Sequence, residues 1–211
     1  MEHWTREADS YLAPYRQAAS RHGDRFGSLL WASPKTQAAR FDAICRLAEM
    51  RQRRVLDAGC GRADLLDFLL EREMMPADYI GIEAVEELAA AAMRKRLPWA
   101  QIVHGDFVRD PQRLAVGADV VVFSGSLNTL DAGQFRLSLQ QGFETAGEVL
   151  VFNFLAAAHI ASAEWLTWHR PANVLEMARN FSSEVRMLDD YLDGDCTIAV
   201  WKRGATQGRA D

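Results

Sequence analysis

From Arg54 onward, short apolar runs rich in β-branched residues alternate with stretches of helical spacing, and this alternation leaves very few folds open. Residues 55–58, 79–82, 101–103, 119–123 and 149–154 read as buried strands, being apolar without the in-out alternation of a half-exposed strand. Residues 64–72, 85–96, 111–116 and 132–142 lie between them with helical periodicity. Strand and helix in strict succession imply right-handed crossovers and a parallel sheet covered on both faces. A further helix is expected at 171–181, followed by strands at 184–188 and 197–201. The connection between these two strands is too short for a helical crossover, so they should pair antiparallel. The expected architecture is a doubly wound α/β fold with a seven-stranded, mostly parallel sheet whose last strand runs antiparallel.

Residues 1–52 contain no valine and carry helical spacing, first at Tyr11, Leu12 and Tyr15, then from Ala38 to Ala48. Ser33 followed by Pro34 suits the start of the second helix, because Ser can cap free amides and Pro fits the first helical position. These residues are expected to form an N-terminal helical cap within the same domain, with a core at 53–203 and a mobile polar tail at 204–211. With 211 residues, 49% of them hydrophobic, the chain can bury a core without a disulfide or metal staple. Cys45, Cys60 and Cys196 form no CxxC pair and have no histidine at zinc-finger spacing, so they read as reduced thiols and no metal is expected. There are 24 Lys and Arg against 29 Asp and Glu, a net charge of −5, which opposes nucleic acid or an anionic bilayer as partner. The first residues lack the basic-then-apolar order of a secretory signal. The longest nearly apolar run, 149–163, holds Asn153 and His159 and is too short to span a membrane. A cytoplasmic setting is expected.

The most informative segment is the first strand running through Asp57 and Ala58 into Gly59, Cys60 and Gly61, where a helix opens at Asp64. Gly59 and Gly61 can take positive φ and leave bare backbone for a ligand to lie against. A phosphate-binding Walker loop is excluded, since no Gly-Lys-Ser/Thr follows. A dinucleotide turn needs a third small residue where Asp64 stands, and that carboxylate would repel a pyrophosphate at the helix N-terminus. Asp57, ending the strand, suits a ligand that carries a cationic amine.

Asp57-x-Gly59-x-Gly61 with Ala63 resembles motif I of the class I S-adenosylmethionine (SAM)-dependent methyltransferases, usually Asp/Glu-x-Gly-x-Gly-x-Gly; Ala63 departs from the last glycine. The likeness extends over roughly residues 53–202. It implies that Glu83, ending the second strand beside Ala84, accepts the ribose hydroxyls, and that Asp106 and Phe107 after the third strand hold the adenine amino group and ring face. It also implies that Ser124, opening Ser124-Gly125-Ser126 after the fourth strand, lines the methionine part. Plainer readings exist: Asp57 and Glu83 as caps of the following turn and helix, Asp106 as a solvated loop acid. The methyltransferase reading requires Asp57, Glu83 and Asp106 to converge on one cleft, with Glu83 mattering to binding and little to stability.

Two segments, 31–41 and Phe152-Asn153-Phe154-Leu155 continuing to Tyr191, resemble one bacterial subgroup of that superfamily with no settled substrate. This likeness places Gln37 and Arg40 on one helix face over the cofactor, where Arg40 can pair with the methionine carboxylate or simply be a surface arginine. His159, His169 and Tyr191 are the candidates for a general base, and Asn153, His159 and Tyr191 for acceptor contacts. Residues 156–170, with Trp165 and Trp168, are expected either to roof the acceptor pocket or to pack in the core. No Asn-Pro-Pro-Tyr clamp for exocyclic base nitrogens follows the fourth strand, no Pro-Cys nucleophile occurs, and no Asp-Asn pair for magnesium follows the fifth. The expected activity is SAM-dependent methyl transfer to oxygen or nitrogen of a small molecule. The alternatives are a non-catalytic SAM- or nucleotide-binding module and, behind it, an NAD-dependent dehydrogenase.

Overall fold

The computed structural model describes residues 10–204. Residues 1–9 of the expected cap and 205–211 of the expected tail lie outside the described residues. Seven strands form one sheet: β1 (Arg54–Ala58), β2 (Asp78–Glu83), β3 (Ala100–His104), β4 (Val120–Phe123), β5 (Val149–Leu155), β6 (Val185–Leu188) and β7 (Asp195–Trp201). Their order is β3-β2-β1-β4-β5-β7-β6. β7 pairs antiparallel with both β5 and β6, and every other pairing is parallel, so the last strand alone is reversed. Six α-helices accompany the sheet: α1 (Ala13–His22), α2 (Pro34–Leu47), α3 (Asp64–Glu71), α4 (Glu86–Met93), α5 (Ala132–Thr145) and α6 (Pro171–Phe181).

β1, β2, β4, β5 and β7 are buried nearly throughout, whereas β3 and β6, at the two edges with one neighbour each, are only partly buried, which corrects the expectation of a buried strand at 101–103. Alternate residues separate into two cores. Leu56, Ile80, Val121, Phe123 and Phe152 pack with α5 and α6 residues on one face, and Val55, Tyr79, Val120, Val122 and Val151 with α2 and α3 residues on the other. Ser33 caps α2 with a reciprocal bond to Thr36, and Pro34 opens the helix. One expected helix is corrected. Residues 111–116 form only the single 3-10 turn Pro111–Leu114, too short a segment to propagate an α-helix once nucleated. Among the described residues no helix is long and apolar enough to cross a membrane.

Between β1 and β4 the chain reverses its direction of sheet growth, and at such a switch point the strand ends and their loops part to leave a crevice. The edge that matters for function is therefore the carboxyl end of β1, β2, β3 and β4.

Candidate active site

A cavity open to solvent occupies that edge. Asp57, Glu83 and Asp106 all border it, together with Gly59, Gly61, Ala84, Phe107, Ser124, Gln37 and Arg40. These are the residues that the sequence likeness assigned to a cofactor.

The turn that forms its floor is built by backbone. The amides of Gly59 and Cys60 both donate to Ile82 O, at 2.8 and 3.0 Å, and pin the turn to β2. Gly59 has φ +81°, and a Cβ there would collide with Ser126, whose Oγ donates to Ala58 O at 2.7 Å. Leu29 leans on the bare backbone of Gly61, where a Cβ would lie 2.7 Å from Leu29 Cδ2. Ala63, at the place of the motif's last glycine, is left-handed with φ +58° and caps α3.

Each acid has protein partners. Glu83 Oε2 accepts the Gly61 amide and Oε1 the Val85 amide, both at 2.8 Å. Burial still pushes its carboxyl up, against the pull of these amides. Asp106 Oδ2 accepts the Tyr11 hydroxyl at 2.7 Å and Oδ1 accepts the amides of Val108 and Arg109. Asp64 is held by Arg62 and by Gln37 Nε2. Asp57 Oδ2 accepts the buried Tyr79 hydroxyl at 2.5 Å. Burial pushes Asp57 up to about 7, and nearby Glu83 adds to this while the Tyr79 bond works against it.

A carboxyl whose value in the fold exceeds that in the unfolded chain keeps its proton longer when folded. The Asp57 contribution to stability is therefore complete at low pH and falls away as pH rises from about 4 to about 7. Asp57→Asn keeps an oxygen for Tyr79 but cannot ionise. Its urea midpoint relative to the parent is expected to rise across this window, and a difference that does not change with pH would contradict the assignment.

Several expected site residues are elsewhere. Asn153 is fully buried and does not border the cavity; its Oδ1 accepts the Gly125 amide at 2.9 Å and its Nδ2 donates to Ser124 Oγ. A polar side chain inside a continuous buried strand has to find partners, and these tie β5 to the loop after β4. His159 is exposed outside the cavity and 3.0 Å from Asp193. His169 stacks on Phe135 at 3.9 Å, away from the cavity, and burial lowers its pKa. The Tyr191 hydroxyl bonds Asp195 and Thr197 rather than facing the cavity. Arg40 does border the cavity, but its Nε and Nη2 are taken by buried Asp195. Trp165 borders the cavity and Trp168 does not; at 37% and 39% exposure neither is a core residue.

No residue before Gln37 was among the expected site residues, although a helical cap over the cofactor was expected there. Tyr11 and Tyr15 border the cavity, Tyr15 donating to Gly125 O at 3.3 Å, and the Trp31 ring lies against Gly125. The spacing of the two tyrosines, one helical turn apart, was the available signal. Asn128, Thr129 and Leu166 were also missed. Among the described residues no group of three or more His, Cys, Asp or Glu is placed to hold a metal ion.

No family model and no curated protein matches this sequence. Solved structures do match. Magnesium protoporphyrin IX methyltransferase from Synechocystis PCC 6803, with bound SAH, is similar with TM-score 0.66 and 12% identity, over 92% of this chain and 94% of that one. The DhpI complex with SAM and HEP gives TM-score 0.65 and 16% identity over 90% and 95%. A SAM-dependent methyltransferase from Archaeoglobus fulgidus gives 0.62 and 16% over 81% and 95%. The chain has the fold of the class I methyltransferases.

Proposed function

We propose that the chain is a SAM-dependent methyltransferase that binds SAM in the cavity at the ends of β1 to β4 and methylates a small molecule. The observation that carries this reading is the convergence of Asp57, Glu83 and Asp106, from three different strand ends, on one cavity in a chain of this fold. Charge supports it. Four carboxylates, Asp57, Asp64, Glu83 and Asp106, border the cavity against the Arg40 guanidinium, which Asp195 already holds. That surround favours a sulfonium and an ammonium group and opposes a pyrophosphate.

Bound SAM would supply a methyl group on a positively charged sulfur, open to in-line displacement. In this reading Asp106 accepts the adenine amino group, Phe107 packs on the ring and Glu83 takes the ribose hydroxyls. Asp57 faces the ammonium, and the bare turn at Gly59 and Gly61 leaves room for the methionine chain. Tyr11, Tyr15 and Leu29 make the helices before β1 a cover over this compartment. The residues' main contribution is alignment, which is worth about 7–11 kcal/mol when two reactants are held in line. A small acceptor is supported by the acidic surround, which repels polyanions. The free thiols Cys45, Cys60 and Cys196 support a cytoplasmic setting.

The test is methyl-labelled SAM incubated with the protein and a metabolite extract. Label is expected in the small-molecule fraction. Label found in protein or RNA alone would contradict the acceptor class.

A further inference from the structure

Resting on the methyltransferase reading, we propose that Tyr11 is a positioning residue that sets the choice of base in the cofactor. By holding the Asp106 carboxylate it leaves one acceptor site for the amino group of adenine and removes the freedom that a 6-oxo purine would need. Asp106 follows β3, whereas Tyr11 sits 95 residues away in the 3-10 turn Ser10–Leu12 ahead of α1. Both border the cavity. The acceptor for the base is therefore shared between the cap and the sheet.

The Asp106 carboxylate can be read site by site. A carboxylate has about four lone-pair sites, all of which accept. Oδ1 takes the Val108 amide at 2.9 Å and the Arg109 amide at 3.2 Å, which fills it. Oδ2 takes the Tyr11 hydroxyl at 2.7 Å, and among the described residues no other group donates to it. One site is left, and it needs a donor from the ligand. The exocyclic amine of adenine is such a donor, at the position where a 6-oxo purine carries an acceptor, so that the second base leaves both oxygens unmet.

Tyr11 does more than occupy a site. The two amides anchor one end of the carboxylate and the Tyr11 hydroxyl anchors the other, which fixes the plane of the group. Without the hydroxyl, Oδ2 has two open sites and can turn toward the ring N1–H that a 6-oxo purine carries where adenine has a lone pair. The Tyr11 ring is itself held: it is only 5% exposed, belongs to the core that includes Phe107 and Leu114, and also borders a second hollow lined by Pro111, Gln134 and Leu137. Tyr11→Phe keeps this partition between the two hollows and removes the hydroxyl alone.

The probes are S-adenosylhomocysteine (SAH) and S-inosylhomocysteine, its 6-oxo counterpart, each titrated by calorimetry into the full chain. The parent is expected to bind SAH more tightly by about tenfold or more, and Tyr11→Phe to bring the two affinities within about threefold of each other. Asp106→Asn, whose Oδ1 stays with the two amides and whose Nδ2 then offers a donor to the cavity, should reverse the preference. The ratio of affinities is the readout, because a merely structural role for Tyr11 would weaken both ligands alike. The proposal is overturned if the parent shows no preference, if Tyr11→Phe keeps the parent's ratio, or if Asp106→Asn prefers SAH as the parent does. Failure of the parent to bind SAH would instead overturn the reading beneath it.

Discussion

Glu83→Ala is expected to weaken SAH binding by about ten- to a hundredfold and, in the same variant, to lower the urea midpoint of the free protein. The first effect follows from two charge-assisted hydrogen bonds to ribose hydroxyls, worth about 1.5–3 kcal/mol each and partly replaced by water. The second follows from the amides of Gly61 and Val85, which lose the carboxylate that accepts them in a buried setting. Each unmet amide costs about 1–3 kcal/mol. The sequence reading expected little loss of stability, because it assigned Glu83 to the ligand alone. The carboxylate in fact shapes the turn that the ligand would lie on. Glu83→Gln, which retains one accepting oxygen, should fall between the two. Parent-like SAH affinity in Glu83→Ala would remove Glu83 from the site.

The largest loss of stability is expected from Asp195→Ala. Asp195 and Arg40 form an ion pair with both side chains buried, and Asp195 also accepts the Tyr191 hydroxyl. Truncating the acid strands a guanidinium that cannot give up its charge, which costs about 3–5 kcal/mol. At this chain length that corresponds to a fall in Tm of roughly 6–20 °C. Arg40→Met should cost less. The Asp195 carboxyl left behind is already pushed up by burial and can neutralise itself by taking a proton. Replacing both residues, Arg40→Met with Asp195→Leu, should recover most of the loss, since apolar pairs of similar volume often match a buried ion pair. Thermal scans of the three variants test this ordering, and equal losses in Asp195→Ala and Arg40→Met would contradict it.

The sheet was legible in the sequence because its inner strands, buried on both faces, leave continuous β-branched runs, and the seven segments are separated by helical spacing or by a loop too short for a crossover. The acids were legible for a related reason. Residues ending successive parallel strands necessarily meet at one sheet edge, whatever the loops do, so Asp57, Glu83 and Asp106 could be grouped before any coordinates. The substrate side has no such geometric guarantee. Residues 156–170 follow no period, and nothing in their order says that Trp165 and Leu166 turn to the cavity while His159 faces Asp193. Arg40, which the subgroup likeness put over the cofactor, borders the cavity, but its partner Asp195 is 155 residues away and belongs to β7, beyond the reach of any local pattern. Asn153 was misassigned because a polar residue in a buried strand resembles a site residue as readily as a structural one.

Binding of SAM in the cavity at the carboxyl ends of β1 to β4 is tested by titration calorimetry with SAH. One SAH per chain is expected, with micromolar affinity that falls in Glu83→Ala, and with a rise in Tm on saturation because the ligand binds only the folded chain. No heat of binding and no shift in Tm at about 1 mM SAH would contradict the account.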